Sequence, residues 1–268
     1  MPLSDKHAVV TGAGGGLGRS LCFELLRLGA RVSALDIDES AIRDLVSSDV
    51  SGRLSGQGLD ITDATLCDRV FGQLREESGP IDLVLNNAGI THFSTVEDVS
   101  LKTIEQVMSV NFAGAVNCTK AALPDILERR GQVVVLSSVA GFAPLFGRCA
   151  YSASKHALHG FFETLRCEVR DRGVNVLMVC PSFIDSQRDQ PGSESPYAGA
   201  SRPGSARTTV GDVMSPEEAA REILGAIVKR REQLFVGRVA KQSHWLRRLS
   251  PGLFDSIMTR RARDEVTG

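Results

Sequence analysis

Tyr151 and Lys155 stand four residues apart in YSASKHALHG, and the chain holds only one other tyrosine, Tyr197. The surrounding pattern reads as helix, so residues at this spacing share a face. An ammonium beside a phenol favours the phenolate and lowers the tyrosine pKa. A tyrosine tuned in that way suits proton exchange near neutral pH. The same spacing serves a surface tyrosine stacked on a lysine stem, so the pair takes its meaning from what the rest of the chain builds around it.

Positioning such a pair for chemistry needs a rigid frame, and the sequence supplies one. Short apolar runs at His7–Thr11, Arg31–Asp36, Leu54–Leu59, Ile81–Asn86, Gln132–Ser137, Asn175–Cys180 and Gln233–Val236 read as strands. Helical patterns separate most of them, over Gly16–Leu28, Glu39–Val46, Asp63–Glu77, Leu101–Leu127, Ala150–Arg170 and Pro216–Arg230. This alternation predicts an α/β fold, a single-domain, doubly wound parallel sheet of about seven strands with helices on both faces. Runs such as VVVL and VNVLMV fit strands buried on both sides. The whole chain, 1–268, is read as one dinucleotide-binding and catalytic domain. Residues 187–213, dense in Gly, Ser, Pro and Arg, are expected to form a substrate lid, and 240–268 a C-terminal extension.

Composition narrows the function classes. A formal net charge of −1 gives no global basic field for nucleic acid. The N-terminus shows no secretory signal pattern, and no apolar run is long enough to span a membrane, so a cytoplasmic protein is expected. Six scattered cysteines without a C-x-x-C pair point to free thiols rather than disulfides or zinc ligands. No metal site is expected.

After the first strand comes TGAGGGLGRS, Thr11 to Ser20. A glycine turn opening a helix lets the backbone approach a pyrophosphate, and the helix N-terminus faces its charge. The spacing is Gly12, Gly16, Gly18, not G-x-G-x-x-G. A triphosphate P-loop is disfavoured because Arg19 stands where a lysine point charge belongs. Asp36 ends the second strand, eighteen residues after Gly18. A carboxylate there accepts hydrogen bonds from an adenosine ribose and repels a 2′-phosphate. With Ile37 following and Gly15 in the turn, the reading is NAD(H) preferred, NADP(H) disfavoured.

Together these residues resemble the short-chain dehydrogenase/reductase family over roughly Lys6 to Ser186. The motifs are TGAGGGLG, Asp60 in LDIT, NNAG at Asn86–Gly89, Asn111 in VNFAG, Ser138 in VVVLSS, and Y-S-A-S-K at Tyr151–Lys155. The resemblance implies that Tyr151 is the acid/base, that Lys155 lowers its pKa and holds the nicotinamide ribose, and that Ser138 orients the reacting oxygen. It implies a water-positioning role for Asn111. Gly12, Gly16, Leu17, Gly18, Asp36, Asp60, Ile61, Asn87, Ala88, Gly89, Pro181 and Ser186 become cofactor contacts. Ser182 replaces the family's usual glycine, and Ser186 stands where a threonine is common.

The loop after Ser138, with Phe142, Pro144, Leu145 and Phe146, would line the substrate cleft, with Phe183 across it. The resemblance extends to members acting on steroids, retinoids or similar alcohols. The expected activity is hydride transfer between NAD(H) and a secondary alcohol or ketone. Rival readings are a cofactor-binding protein of the same fold without turnover, and an NADP(H)-dependent carbonyl reductase. A homodimer or homotetramer is implied by the helices that pair between subunits in the family. The C-terminal Trp/Arg-rich segment favours packing at a subunit contact or over the site mouth, with peripheral membrane contact the lesser reading.

Overall fold

The structure is a computed structural model and describes residues 2–185 and 213–267, with side chains described to residue 260. Seven strands form one sheet: β1 (His7–Thr11), β2 (Arg31–Asp36), β3 (Leu54–Gly58), β4 (Leu83–Asn86), β5 (Gln132–Leu136), β6 (Asn175–Pro181) and β7 (Gln233–Val236). Their order is β3-β2-β1-β4-β5-β6-β7, and every pairing is parallel. The order reverses between β1 and β4, which opens a crevice at the carboxyl ends of those strands.

The helices are α1 (Gly16–Arg27), α2 (Glu39–Ser47), α3 (Ala64–Ser78), α4 (Leu101–Met108), α5 (Ala115–Glu128), α6 (Cys149–Val169), α7 (Pro216–Val228), α8 (Arg238–Leu249) and α9 (Pro251–Thr267). They cover both faces of the sheet. Ala8 and Val10 of β1 pack into one apolar cluster with Leu21, Leu25, Ile42 and Ile223. Val9, between them, packs into the other with Phe71, Ile126, Leu158 and Phe162. The period of two along a strand thus feeds two cores from one sequence run.

Two elements differ from the sequence reading. The helix expected over Leu101–Leu127 is interrupted at Ser109–Gly114 by a π turn. That extra residue turns Asn111 into the protein interior, and it lets Gly114 approach Ile61 so closely that a Cβ there would lie 2.5 Å from the isoleucine side chain. Beyond Ser250, where Pro251-Gly252 reads in the sequence as a break leaving two short pieces, the chain forms a helix of 17 residues with Pro251 at its first position, where the missing N–H costs nothing. All six cysteines are unpaired, five of them wholly or partly buried and Cys167 exposed. The expected lid falls, apart from Val213, outside the described residues.

The amino edge of the sheet, remote from the crevice, is tied by Asp82. Its carboxylate accepts from Lys6 Nζ at 2.9 Å, Arg129 Nε at 3.1 Å and the His7 backbone N–H at 3.1 Å. Burial pushes this carboxyl up, but the three donors outweigh it and hold the group below its ordinary 3.8. A depressed carboxylate stabilises above its unfolded pKa, and the benefit is lost as pH falls through the folded value. Asp82→Asn should therefore cost about 1–3 kcal/mol at neutral pH in urea denaturation. The deficit should close as pH drops below 3.8.

Candidate active site

The catalytic candidates converge where β5 ends and α6 begins. Ser138 follows β5, is buried, its Oγ accepts the Ala140 N–H at 3.2 Å, and it stands close enough to the Tyr151 phenol to pull its pKa down. Tyr151 and Lys155 lie one turn apart on α6. Lys155 Nζ sits 5.5 Å from the centre of the tyrosine ring and donates to the Leu136 carbonyl at 2.7 Å. Only 5% of Lys155 is exposed, so this ammonium is held inside the protein and does not coat a surface ring.

Asn111 supports the same helix from behind. Its Oδ1 accepts the Ile90 N–H at 2.8 Å, and its Nδ2 donates to the Ile90 carbonyl at 2.9 Å and to Ser154 Oγ at 2.9 Å. The amide is consumed in fixing the NNAG loop to α6. Gly89, in that loop, is the close-approach point: a Cβ there would lie 3.2 Å from Asn111 Oδ1 and 3.6 Å from Lys155 Nζ.

The pair's electrostatics depart from the sequence expectation. Burial pushes the Tyr151 phenol above its ordinary 10.0, and the Ser138 hydroxyl and the Arg148 charge pull back without reversing it. Burial also brings the Lys155 ammonium down from 10.5 to about 8, opposed by the buried Cys180 thiol. Within the polypeptide itself, burial outweighs what opposes it at the tyrosine. Desolvation, which a sequence does not display, dominates both groups.

The glycine turn has the donor set a dinucleotide needs. Helix α1 begins without a side-chain cap and carries no acid in its first turn, so its N-terminal N–H groups face outward with a positive end. Gly12 has φ +64°, and a Cβ there would approach the Ala88 backbone to 2.7 Å. Gly18 packs so closely under the turn that a Cβ would collide with the Gly12 carbonyl. Asp36, at the end of β2, accepts the Gly14 N–H at 3.0 Å and the Asp38 N–H at 3.1 Å, which holds the carboxylate against the turn. Asp60 Oδ1 takes the Thr62 N–H and hydroxyl at 2.9 and 2.7 Å. The Ile61 carbonyl is taken by Asn117 Nδ2 at 3.0 Å, so any backbone contact from Ile61 to a ligand falls to its N–H. Asn87 Nδ2 donates to the carbonyls of Thr11 and Gly12, both at 3.0 Å, stitching the NNAG loop to the turn. These residues fit a dinucleotide.

Residues 6–196 match the short chain dehydrogenase family. The chain belongs to that family. It is an oxidoreductase. A dehydrogenase/reductase SDR family member 7B from Xenopus laevis is 35% identical over 97% of this chain and 83% of its own length. A dehydrogenase/reductase SDR family protein 7-like from Drosophila melanogaster is 33% identical over 97% and 81%. Among solved structures, a short-chain dehydrogenase from Streptomyces avermitilis superposes with a TM-score of 0.79 at 30% identity, over 98% of this chain and 97% of that one. A short chain dehydrogenase/reductase from Burkholderia phymatum, solved in complex with NAD, shares the fold at 24% identity and TM-score 0.80, over 94% of this chain and 96% of that one.

For this short-chain dehydrogenase, the remaining expected site residues spread out. Pro181 closes β6 at its carboxyl end, opposite Val236 of β7. Ser182 donates its Oγ to the Val236 carbonyl at 3.3 Å, and the described residues with positive φ do not include it, so serine replaces the family's glycine here without strain. Phe142 is packed against Phe235 of β7 at 5.7 Å and His244 of α8 at 5.4 Å, ring centre to ring centre. Phe183 lies just before Ile184, which pairs with Met214 on the far side of the undescribed segment. Ser186 lies outside the described residues. No metal-binding group of three side chains forms among the described residues, and no helix there is long and apolar enough to cross a membrane. Sequence reasoning missed Arg148, Thr91 and Ser154. Arg148, one turn ahead of Tyr151, was findable from spacing; Thr91 and Ser154 reveal themselves only through partners distant in sequence.

Burying Lys155 costs folding free energy that can be measured. Its folded pKa of about 8 lies below its ordinary 10.5. Below that window both folded and unfolded chains carry the proton, and the burial penalty is fully present. Across the window the unfolded chain binds more protons, so this group's contribution improves as pH rises. Lys155→Met should raise stability at neutral pH by up to about 3 kcal/mol, less what the Leu136 carbonyl loses. Chemical denaturation should show the gain shrinking toward pH 10.5.

Proposed function

We propose that this chain moves a hydride between NAD(H) and a secondary alcohol or ketone with an apolar body. The observation that carries the reading is the buried Lys155 ammonium one turn from a tyrosine whose phenol is influenced by the buried Ser138. A surface stacking pair needs neither the burial nor the serine.

When bound, the nicotinamide supplies the hydride acceptor and, oxidised, a positive charge that favours the phenolate. Tyr151 Oη takes the alcohol proton as the substrate carbon gives up its hydride, and returns it in the reverse direction. Ser138 Oγ orients the reacting oxygen. Lys155 Nζ holds the ribose hydroxyls close to the phenol. Because the Asn111 amide is already engaged, its contribution is to fix α6, and with it the place of any water beside Lys155.

Gly12, Gly16, Leu17 and Gly18 with the uncapped start of α1 cradle the pyrophosphate. Asp36 receives the adenosine ribose hydroxyls and disfavours a 2′-phosphate, which supports NAD(H) over NADP(H). Asp60 and Ile61 flank the adenine, Asn87, Ala88 and Gly89 form the floor, and Pro181 borders the carboxamide. Phe183 supplies apolar wall to the substrate; Phe142, packed on α8, acts as support behind it. One catalytic domain assembled as a homodimer or homotetramer completes the reading, since Phe112 and Phe161 bring apolar bulk to the outer side of the helices around α6.

Tyr151→Phe should abolish turnover on any alcohol or ketone the parent accepts while leaving NADH affinity nearly unchanged. Lys155→Ala should impair both, and Lys155→Arg should not restore them, because a planar fork does not replace a compact ammonium. Steady-state rates with NADH fluorescence titration decide this, and substantial turnover by Tyr151→Phe would contradict the assignment. In the same titrations Asp36→Ala should narrow the preference for NAD(H). Tighter binding of NADP(H) by the parent would overturn that part.

A further inference from the structure

Arg148 is a cation beside the catalytic tyrosine with no counter-charge among the described residues. It precedes α6 and stands three positions before Tyr151. A parallel bridge to Ser94 and the Ser94 N–H bond to the Gly147 carbonyl at 2.9 Å press it against the loop that leaves Gly89. Its Nη1 donates to Thr91 Oγ1 at 2.5 Å, and its guanidinium carbon lies 5.9 Å from the centre of the Phe93 ring. Among the described residues no carboxylate reaches it.

Elsewhere among the described residues, several arginines are neutralised by a carboxylate or held by backbone carbonyls, whereas Arg19, at the surface of α1, meets only the Ser48 hydroxyl at 3.3 Å and the Phe23 ring. Arg75 Nε lies 2.8 Å from both oxygens of Asp125. Arg53 donates to the Leu26 and Ala30 carbonyls, and Arg230 to those of Arg130, Gly131 and Gly173. Arg148 spends one of its five N–H donors on a hydroxyl. A clamp on Thr91 would not require a charge.

The surroundings of Arg148 are also short of acceptors. Helix α6 starts without a side-chain cap and without an acid in its first turn. His92 is fully buried with its Nε2 3.7 Å from Cys149 Sγ, and its Nδ1 has no hydrogen-bond partner. The Arg148 charge pulls on the Tyr151 phenol and, after burial, helps push the His92 imidazolium down. A guanidinium without a carboxylate partner among the described residues, the Thr91 hydroxyl, an orphan imidazole nitrogen and the positive end of α6 are thus drawn together where the Ser94–Arg148 bridge joins the loop after Gly89 to the start of the helix that carries Tyr151. Phe93 and Phe146, edge to face at 6.2 Å, give the same region an apolar surface.

We propose that Arg148 determines substrate specificity by binding an anionic group, a carboxylate or a phosphate monoester, carried by the apolar alcohol or ketone. The assignment rests on the oxidoreductase reading of this cleft and adds to it the charge of the substrate. Thr91 orients the guanidinium by accepting from Nη1, while its own hydroxyl hydrogen is directed at the His92 carbonyl, 3.5 Å away. The planar fork of arginine suits two-point capture of either group.

Calorimetric titration of hexanoate, hexyl phosphate and hexanol into the NADH-loaded enzyme tests this without requiring turnover. Hexanoate or hexyl phosphate should bind at least about tenfold more tightly than hexanol, as a charge-assisted hydrogen bond requires. The tighter of the two names the anion. Arg148→Met should abolish the difference, Arg148→Lys should retain part of it, and Thr91→Val should weaken it while NADH affinity holds. Equal affinity for all three ligands, or a preference unchanged in Arg148→Met and Thr91→Val, would overturn the proposal. Failure of the oxidoreductase reading looks different: the anions would bind through Arg148, yet no ketone would oxidise NADH. If Arg148→Met does not bind NADH, the Thr91→Val and Arg148→Lys titrations decide the matter alone.

Discussion

The site depends on keeping an ammonium ion out of water. Lys155 is almost wholly buried and meets one carbonyl, that of Leu136. Holding it there needs a scaffold that does not relax, because a mobile one would let the charge find solvent. The parallel sheet supplies Leu136 from the end of β5, and α6 supplies the lysine. Asn111 prevents the two from drifting by tying the NNAG loop to Ser154 on the same helix. The π turn in the helical stretch before α5 exists where Asn111 must point inward. A regular helix through Ser109–Gly114 would re-aim that side chain.

The same crevice explains why cofactor and catalytic residues arise from distant segments. The strand order reverses between β1 and β4, so the loops after those strands diverge and leave room between them. Thr11 crosses that gap: its hydroxyl accepts the Asn87 and Ala88 N–H groups at 3.1 and 3.2 Å. The glycine turn and the NNAG loop therefore form one rigid wall. Asp36 fixes the turn from the other side through Gly14. A substrate cleft built against such a wall acquires its selectivity from the loops around Phe93 and Arg148, the parts least constrained by the sheet.

Much of this was legible in the chain because the signals are local. Strand runs such as VVVL are buried on both faces whatever surrounds them, and β1, β2 and β7 begin and end where the apolar pattern does. The glycine spacing and Asp36 mark strand ends, which the fold brings together by topology alone. What escaped the sequence depends on distance. The direction of the Tyr151 shift is set by desolvation, which no spacing encodes. Phe142 reads as cleft wall from its place after Ser138, yet β7 and α8 claim its ring. The interruption at Ser109–Gly114 reflects the approach of Ile61, far away in the chain.

The central claim is that burial, not the lysine, governs the Tyr151 phenol until the nicotinamide adds its charge. The chain has two tyrosines, so isotope-labelled tyrosine ring carbons give two NMR signals, assigned with Tyr151→Phe. In the protein without added cofactor, the Tyr151 signal should titrate above the ordinary 10.0. Addition of NAD should move its titration downward. A Tyr151 signal that titrates below 10.0 before any cofactor is added would contradict the account and return control of the phenol to Lys155.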